Sequence, residues 1–137
     1  MMEFGYAVVL MLLGAMLFFP IVVAPVVFTA LPEAEAGRFL RALFPRYYLF
    51  MISLSLIAFG VFQGVAGASI DATASVCLLV ALTTVWVRQS LVPRINDARD
   101  SQLAGDASAG QRFDRDHKVS VAINMVQLVA LVAIFAL

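Results

Sequence analysis

Four stretches of this chain are apolar on every face. Phe4 to Leu31 carries no charge, and neither does Tyr47 to Ile70. Ala72 to Val92 is interrupted only by Arg88, and Val119 to Leu137 not at all. A helix needs about 20 apolar residues to cross a bilayer, and each stretch meets or approaches that length. Barrel strands would alternate polar and apolar positions, and these runs do not. In lipid every backbone N–H and C=O must be satisfied within its own segment, so the pattern predicts helices at about 4–31, 47–69, 72–92 and 117–137. The connecting segments 32–46 and 93–116 are the polar ones. The expected fold is all-α: one integral membrane four-helix bundle in a single domain.

Composition supports this reading. Of 137 residues, 63% are hydrophobic and 13% charged, and the mean hydropathy is +0.98, whereas soluble domains carry about 25% charged residues. There are too few polar groups here to cover a soluble fold, and too many apolar ones for disorder. Cys77 stands alone, which excludes a disulfide scaffold. The first apolar run is about twice the length of a signal core and no basic residue precedes it, so a retained helix is expected even though Ala34-Glu35-Ala36 resembles a cleavage site.

The net charge is zero, but its distribution is asymmetric. Arg38, Arg41 and Arg46 lie in or beside the first connection. Arg88, Arg94, Arg99, Arg112, Arg115 and Lys118 lie at the end of the third helix or before the fourth. The N-terminal tip and the turn near Gly67-Ala68-Ser69 hold only acids, Glu3 and Asp71. Positive charge stays on the cytoplasmic side, so both connections are expected inside and both termini outside. Phe39, Leu40, Leu43 and Phe44, beside Arg38 and Arg41, suggest a short amphipathic piece on the membrane surface. Ala104 to Gly110 is small and flexible in composition.

Several intramembrane residues stand out. Pro20 and Pro25 interrupt a run that would be about 42 Å long at 1.5 Å per residue. They predict a kink, or a broken helix offering free carbonyls to a ligand. Gly60 and Gly64 form a GxxxG pair, suited to packing within the bundle or to a homodimer face. His117, Ser120, Asn124 and Gln127 recur at helical spacing. Polar groups in lipid turn inward, so this stripe predicts either interhelical hydrogen bonds or a pocket open to the cytoplasm, with Thr84 and Arg88 as partners. Gln63 belongs to the opposite leaflet. Arg88 either snorkels or turns inward to hold an anion, and Trp86 fits an interfacial anchor. His117 alone is too little for a zinc site or a bis-histidine haem. No phosphate loop, nucleophile elbow or HExxH occurs. No cofactor is predicted, and no nucleic-acid partner.

Three stretches carry a resemblance. They are Ala24-Pro25-Val26-Val27-Phe28 with Leu31-Pro32 and Ala36-Gly37-Arg38; Leu43-Phe44-Pro45-Arg46-Tyr47-Tyr48; and Pro93-Arg94-Ile95-Asn96-Asp97-Ala98-Arg99-Asp100 followed by Phe113, His117, Ser120, Asn124 and Gln127. In order and spacing they resemble a bacterial domain-of-unknown-function membrane family similar to transmembrane protein 205. They are more distantly similar to copper-resistance and protoporphyrinogen-oxidase four-helix proteins. The resemblance implies a multi-pass protein of the bacterial inner membrane with a link to metal or drug handling. It gathers Arg46, Tyr47, Arg94, Asn96, Asp100 and His117 at one end of the bundle. An Asp100–Arg46 pair would be charge-assisted there, as a binding cluster or as a structural clasp.

Three functions follow as expectations. The first is handling of a small solute or metal ion, in a pocket between the polar stripe and the Pro-broken first helix. The second is a non-catalytic accessory subunit, with a homodimer or larger membrane complex as partner. The third is a haem-dependent membrane oxidoreductase. The lipid bilayer is the common partner of all three.

Overall fold

The computed structural model describes residues 1–69 and 71–136. Ile70 and Leu137, which end the second and fourth apolar runs, lie outside the described residues. All regular structure among the described residues is helical. Four rods, Met2–Ala30, Glu33–Ala66, Ala72–Leu103 and Ala109–Ala136, are long and apolar enough to cross a membrane. The first comprises α1 (Met2–Phe18), a π-turn (Phe19–Val23) and α2 (Ala24–Ala30). The second is α3 (Glu33–Ala66). The third comprises α4 (Ala72–Trp86), a π-turn (Val87–Leu91) and α5 (Val92–Leu103). The fourth is α6 (Ala109–Ala133), closing in a 3₁₀ turn.

The segments expected as connections, 32–46 and 93–116, are themselves mostly helical. Pro32 stands just before α3 with φ −57° and ψ 150°, and Glu33 and Glu35 occupy the first turn, where carboxylates complement the positive end of the helix dipole. The first rod is joined to the second by Leu31-Pro32, and the third to the fourth by the stretch 104–108, where Gly105 adopts φ 101°. Prolines inside the rods are absorbed in two ways. Ala24 N–H bonds to Phe19 O and Val92 N–H to Val87 O, five residues back, immediately before Pro25 and Pro93. A proline ring in an α-helix collides with the carbonyl four residues earlier, and the wider π-turn gives it room. The first rod is therefore continuous through Pro20 and Pro25. Pro45 lies inside α3 without a π-turn; there guanidinium groups serve the neighbouring carbonyls. Arg46 Nη1 donates to Ala42 O at 2.7 Å, and Arg88 Nε, from the third rod, to Pro45 O at 3.1 Å.

Val9, Leu12, Met51, Ala58, Cys77 and Leu131 are fully buried along the bundle axis. Large apolar side chains such as Leu10, Ile21, Phe28, Leu79, Val126 and Val129 point outward and are exposed. In water this surface would be a liability; in a bilayer it is the lipid face. At one end Tyr6 meets both Phe62 and Phe135, at 5.3 and 5.6 Å between ring centroids, so the two termini share that end. Gly67, at φ 67°, ends α3 there, and Asp71 caps α4 by accepting from Ala74 N–H at 2.7 Å. The opposite end holds the ion pairs.

Candidate functional site

Because the rods extend beyond the apolar runs, their charged turns form a helical rim. Arg41 binds Asp100 through two parallel hydrogen bonds, at 2.7 and 3.1 Å, joining α3 to α5. Arg99 bonds Glu33 and lies over the Phe113 ring at 5.7 Å. Arg112 pairs with Asp106 at 3.2 Å, and Asp106 also caps the turn through Ser108. The Ser108 hydroxyl, then the Arg112 guanidinium, hold the Asp106 carboxyl below the usual carboxylate range.

Between α5 and α6 this rim opens into a cavity of about 220 Å³, lined by Arg94, Asp97, Ala98, Ser101, Arg112, Arg115 and Asp116. Asp116 forms its floor. Its side chain is 5% exposed, and its Oδ1 accepts from Arg94 Nη2 and Arg115 Nε, each at 3.0 Å. Among the described residues it is the only charged residue that is buried. A carboxylate out of water needs such partners. The two arginines remain half or more exposed, so they keep donors outside these bonds.

Below the rim a polar column descends the inward face of α6. The Tyr48 and Ser120 hydroxyls lie 3.5 Å apart. Asn124 follows one turn deeper and is half-buried. Gln127 Nε2 then donates to Thr83 Oγ1 at 2.7 Å and Thr84 Oγ1 at 3.1 Å, tying α6 to α4. On α3, Ser55 is fully buried, and its hydroxyl has no hydrogen-bond partner among the described residues.

The residues singled out in the sequence divide accordingly. Arg94, Ser120, Asn124 and Gln127 fall on the rim or the column. His117 does not: it is exposed and stacks in parallel on Phe113 at 5.8 Å. Asp116, equally one turn from Ser120, takes the inward position instead. Asp100 pairs with Arg41, not with Arg46. The two arginines are five residues apart, which on a helix separates them by about 140°, and Arg46 is committed to Ala42 O. Tyr47 is half-buried against Phe19 at 5.2 Å. Asn96 is half-buried on α5 and joins none of these pairs. Arg88 turns inward, but to a carbonyl rather than to an acid. Gln63 donates to Gly67 O and Ser69 O, at the end remote from the rim.

The cavity lies between the third and fourth rods, away from the first. Phe19, in the Pro20 turn, packs on Phe44 at 5.1 Å. Gly60 and Gly64 point out of the bundle: a Cβ at either would meet nothing within 4 Å. Among the described residues, no group of three or more His, Cys, Asp and Glu side chains could hold a metal ion. Sequence reading missed Asp116, Tyr48, Ser55 and Thr83. Asp116 and Thr83 had a signal in their helical spacing from Ser120 and next to Thr84; Tyr48 and Ser55 became visible only once α3 was placed.

No curated protein and no solved structure matches the chain. A family model described as a domain of unknown function, DUF4149, matches residues 7–103, which runs from within the first rod to the end of the third and leaves α6 outside. By that match, over more than half its length, the chain belongs to the DUF4149 family.

Proposed function

We propose that this multi-pass protein sits in the bacterial inner membrane with its charged rim in the cytoplasm, and that the rim cavity binds a small anionic ligand without transforming it. The observation that carries the reading is the convergence of Arg94, Arg112 and Arg115 on one cavity whose acids are Asp97 and Asp116. Arg112 also pairs with Asp106 just outside the lining, so charges balance; what the cavity offers a ligand is guanidinium donors, which match the oxygen geometry of carboxylates and phosphates. This suits an anion better than a metal cation, and so narrows the small-solute reading of the sequence. The column below is closed at Gln127 by Thr83 and Thr84, which favours binding at the rim over passage through the bundle.

The test is titration of inorganic phosphate and glycerol 3-phosphate into the detergent-solubilised protein by calorimetry. Saturable binding that weakens about tenfold in Arg112→Gln, the scale of one charge-assisted hydrogen bond, is expected. Absence of binding by both anions would contradict the reading.

An accessory role in a larger membrane complex is the second reading. It is favoured by the outward-facing Gly60 and Gly64, which leave a close-approach face free for another helix. Native-level purification in mild detergent should then bring down a stoichiometric partner, either another protein or a second copy of this chain. Likeness to transmembrane protein 205 is compatible with both readings.

A further inference from the structure

A second cavity, of about 430 Å³, opens on the same seam between the third and fourth rods, at membrane depth. Its walls are aliphatic: Val76, Leu79 and Val80 on α4, Ile123, Val126 and Ala130 on α6. The polar groups it contains, Thr83 and Gln127, bond to each other at 2.7 Å. Leu79 and Val126 form exposed lips, at 60% and 69% exposure, so the groove opens sideways into lipid.

The two cavities are aligned. At 3.6 residues per turn, Arg112, Arg115, Asp116, Ile123, Val126 and Ala130 fall within a sector of roughly 100° on α6. The rise from Asp116 to Val126 is about 15 Å, the depth of one leaflet of a hydrocarbon core about 30 Å thick. Asp116 lies three residues outside the apolar run that begins at Val119, which puts the arginine cavity at headgroup level.

We propose that this seam holds one anionic glycerophospholipid, its phosphate in the arginine cavity and one acyl chain in the aliphatic groove. The inference rests on the anion reading of the rim and names the ligand class. Basic pockets between membrane helices suit anionic headgroups. Arg115 uses Nε, and Arg94 Nη2, on Asp116, so the remaining donors of both lie outside that bond and are available to phosphate oxygens. A free phosphate would leave the groove without an occupant, whereas the quaternary ammonium of a zwitterionic lipid would lie against the guanidinium groups of Arg94, Arg112 and Arg115.

Native mass spectrometry of the delipidated full chain tests this, with phosphatidylglycerol, phosphatidylcholine of the same chains, and glycerol 3-phosphate as probes. One phosphatidylglycerol per chain is expected, retained under activation that strips phosphatidylcholine. Arg112→Gln with Arg115→Gln should weaken its retention about tenfold, to the phosphatidylcholine level. Val126→Trp, on the lipid-facing lip where the bundle core is untouched, should weaken phosphatidylglycerol but leave glycerol 3-phosphate unchanged. Equal retention of the two lipids, or no effect of Val126→Trp on phosphatidylglycerol, overturns the lipid assignment. If glycerol 3-phosphate still binds in either case, the anion reading survives; if it does not, both fall together.

Discussion

Arg94 reaches across from α5 to Asp116 on α6, and the 3.0 Å bond it makes there ends on a carboxylate that is almost wholly buried. Arg41 and Asp100 are bound more closely, at 2.7 Å, yet both are about half exposed. The shorter pair is the less important one for stability, because solvent screens it and two mobile side chains must be ordered to make it. Exposed pairs contribute about 0.2–1 kcal/mol. Hydrogen bonds to a buried charge contribute about 1.5–3 kcal/mol.

Removal of Arg94 should therefore be costly, because it leaves Asp116 buried with only Arg115. Unfolding in mixed micelles should show Arg94→Ala destabilised by about 2 kcal/mol and Arg41→Ala by less than about 1 kcal/mol. Equal losses would mean that Asp116 is hydrated and that the cavity floor is not sealed.

Gln127 ties α6 to α4 through Thr83 and Thr84 in the apolar part of the bundle. Interhelical hydrogen bonds in lipid average about 0.6 kcal/mol. Gln127→Leu should accordingly cost only about 0.5–1.5 kcal/mol in the same unfolding assay, leaving the helical circular dichroism unchanged. A much larger loss would show that the column below Ser120 is held as one network.

The glycines separate packing from outward-facing roles. A Cβ on Gly5 would stand 2.8 Å from Phe62 Cζ, inside a tight aromatic cluster. Gly60 has open space. Gly5→Ala should destabilise the bundle by about 1–3 kcal/mol through overpacking, while Gly60→Leu should change monomer stability by less than about 0.5 kcal/mol. If Gly60→Leu also shifts the protein to a smaller species in size-exclusion chromatography, the GxxxG face joins two copies of the chain.

Much of the architecture was legible, since apolar runs of spanning length have one solution in lipid. Four all-helical spans are visible from Phe4, Tyr47, Ala72 and Val119 onward, and the structure has four rods in those places. Their ends were not legible. The expected helices stop beside Pro45 and Pro93 and kink or break at Pro25, and only the i→i−5 bonds of Ala24 and Val92, and the guanidinium contacts of Arg46 and Arg88, show how each is accommodated. The site was legible in part. Ser120 and Gln127 lie on the inward face because polar groups avoid lipid. His117 and Asp116 are neighbours in sequence with opposite facing, and a stripe of four polar residues does not distinguish an exposed first member from a buried one. Arg41 in place of Arg46 is a matter of helical phase, invisible while residues 32–46 are taken as a loop.

Orientation in the membrane underlies both the rim and the lipid assignment, and cysteine labelling measures it directly. In a Cys77→Ala background, Glu3→Cys and Ala107→Cys mark the two ends of the bundle. A membrane-impermeant maleimide should label Glu3→Cys in intact spheroplasts, and Ala107→Cys only after the membrane is opened. Labelling of Ala107→Cys in intact spheroplasts, with Glu3→Cys protected, would put the arginines outside the cell and contradict a cytoplasmic anion site.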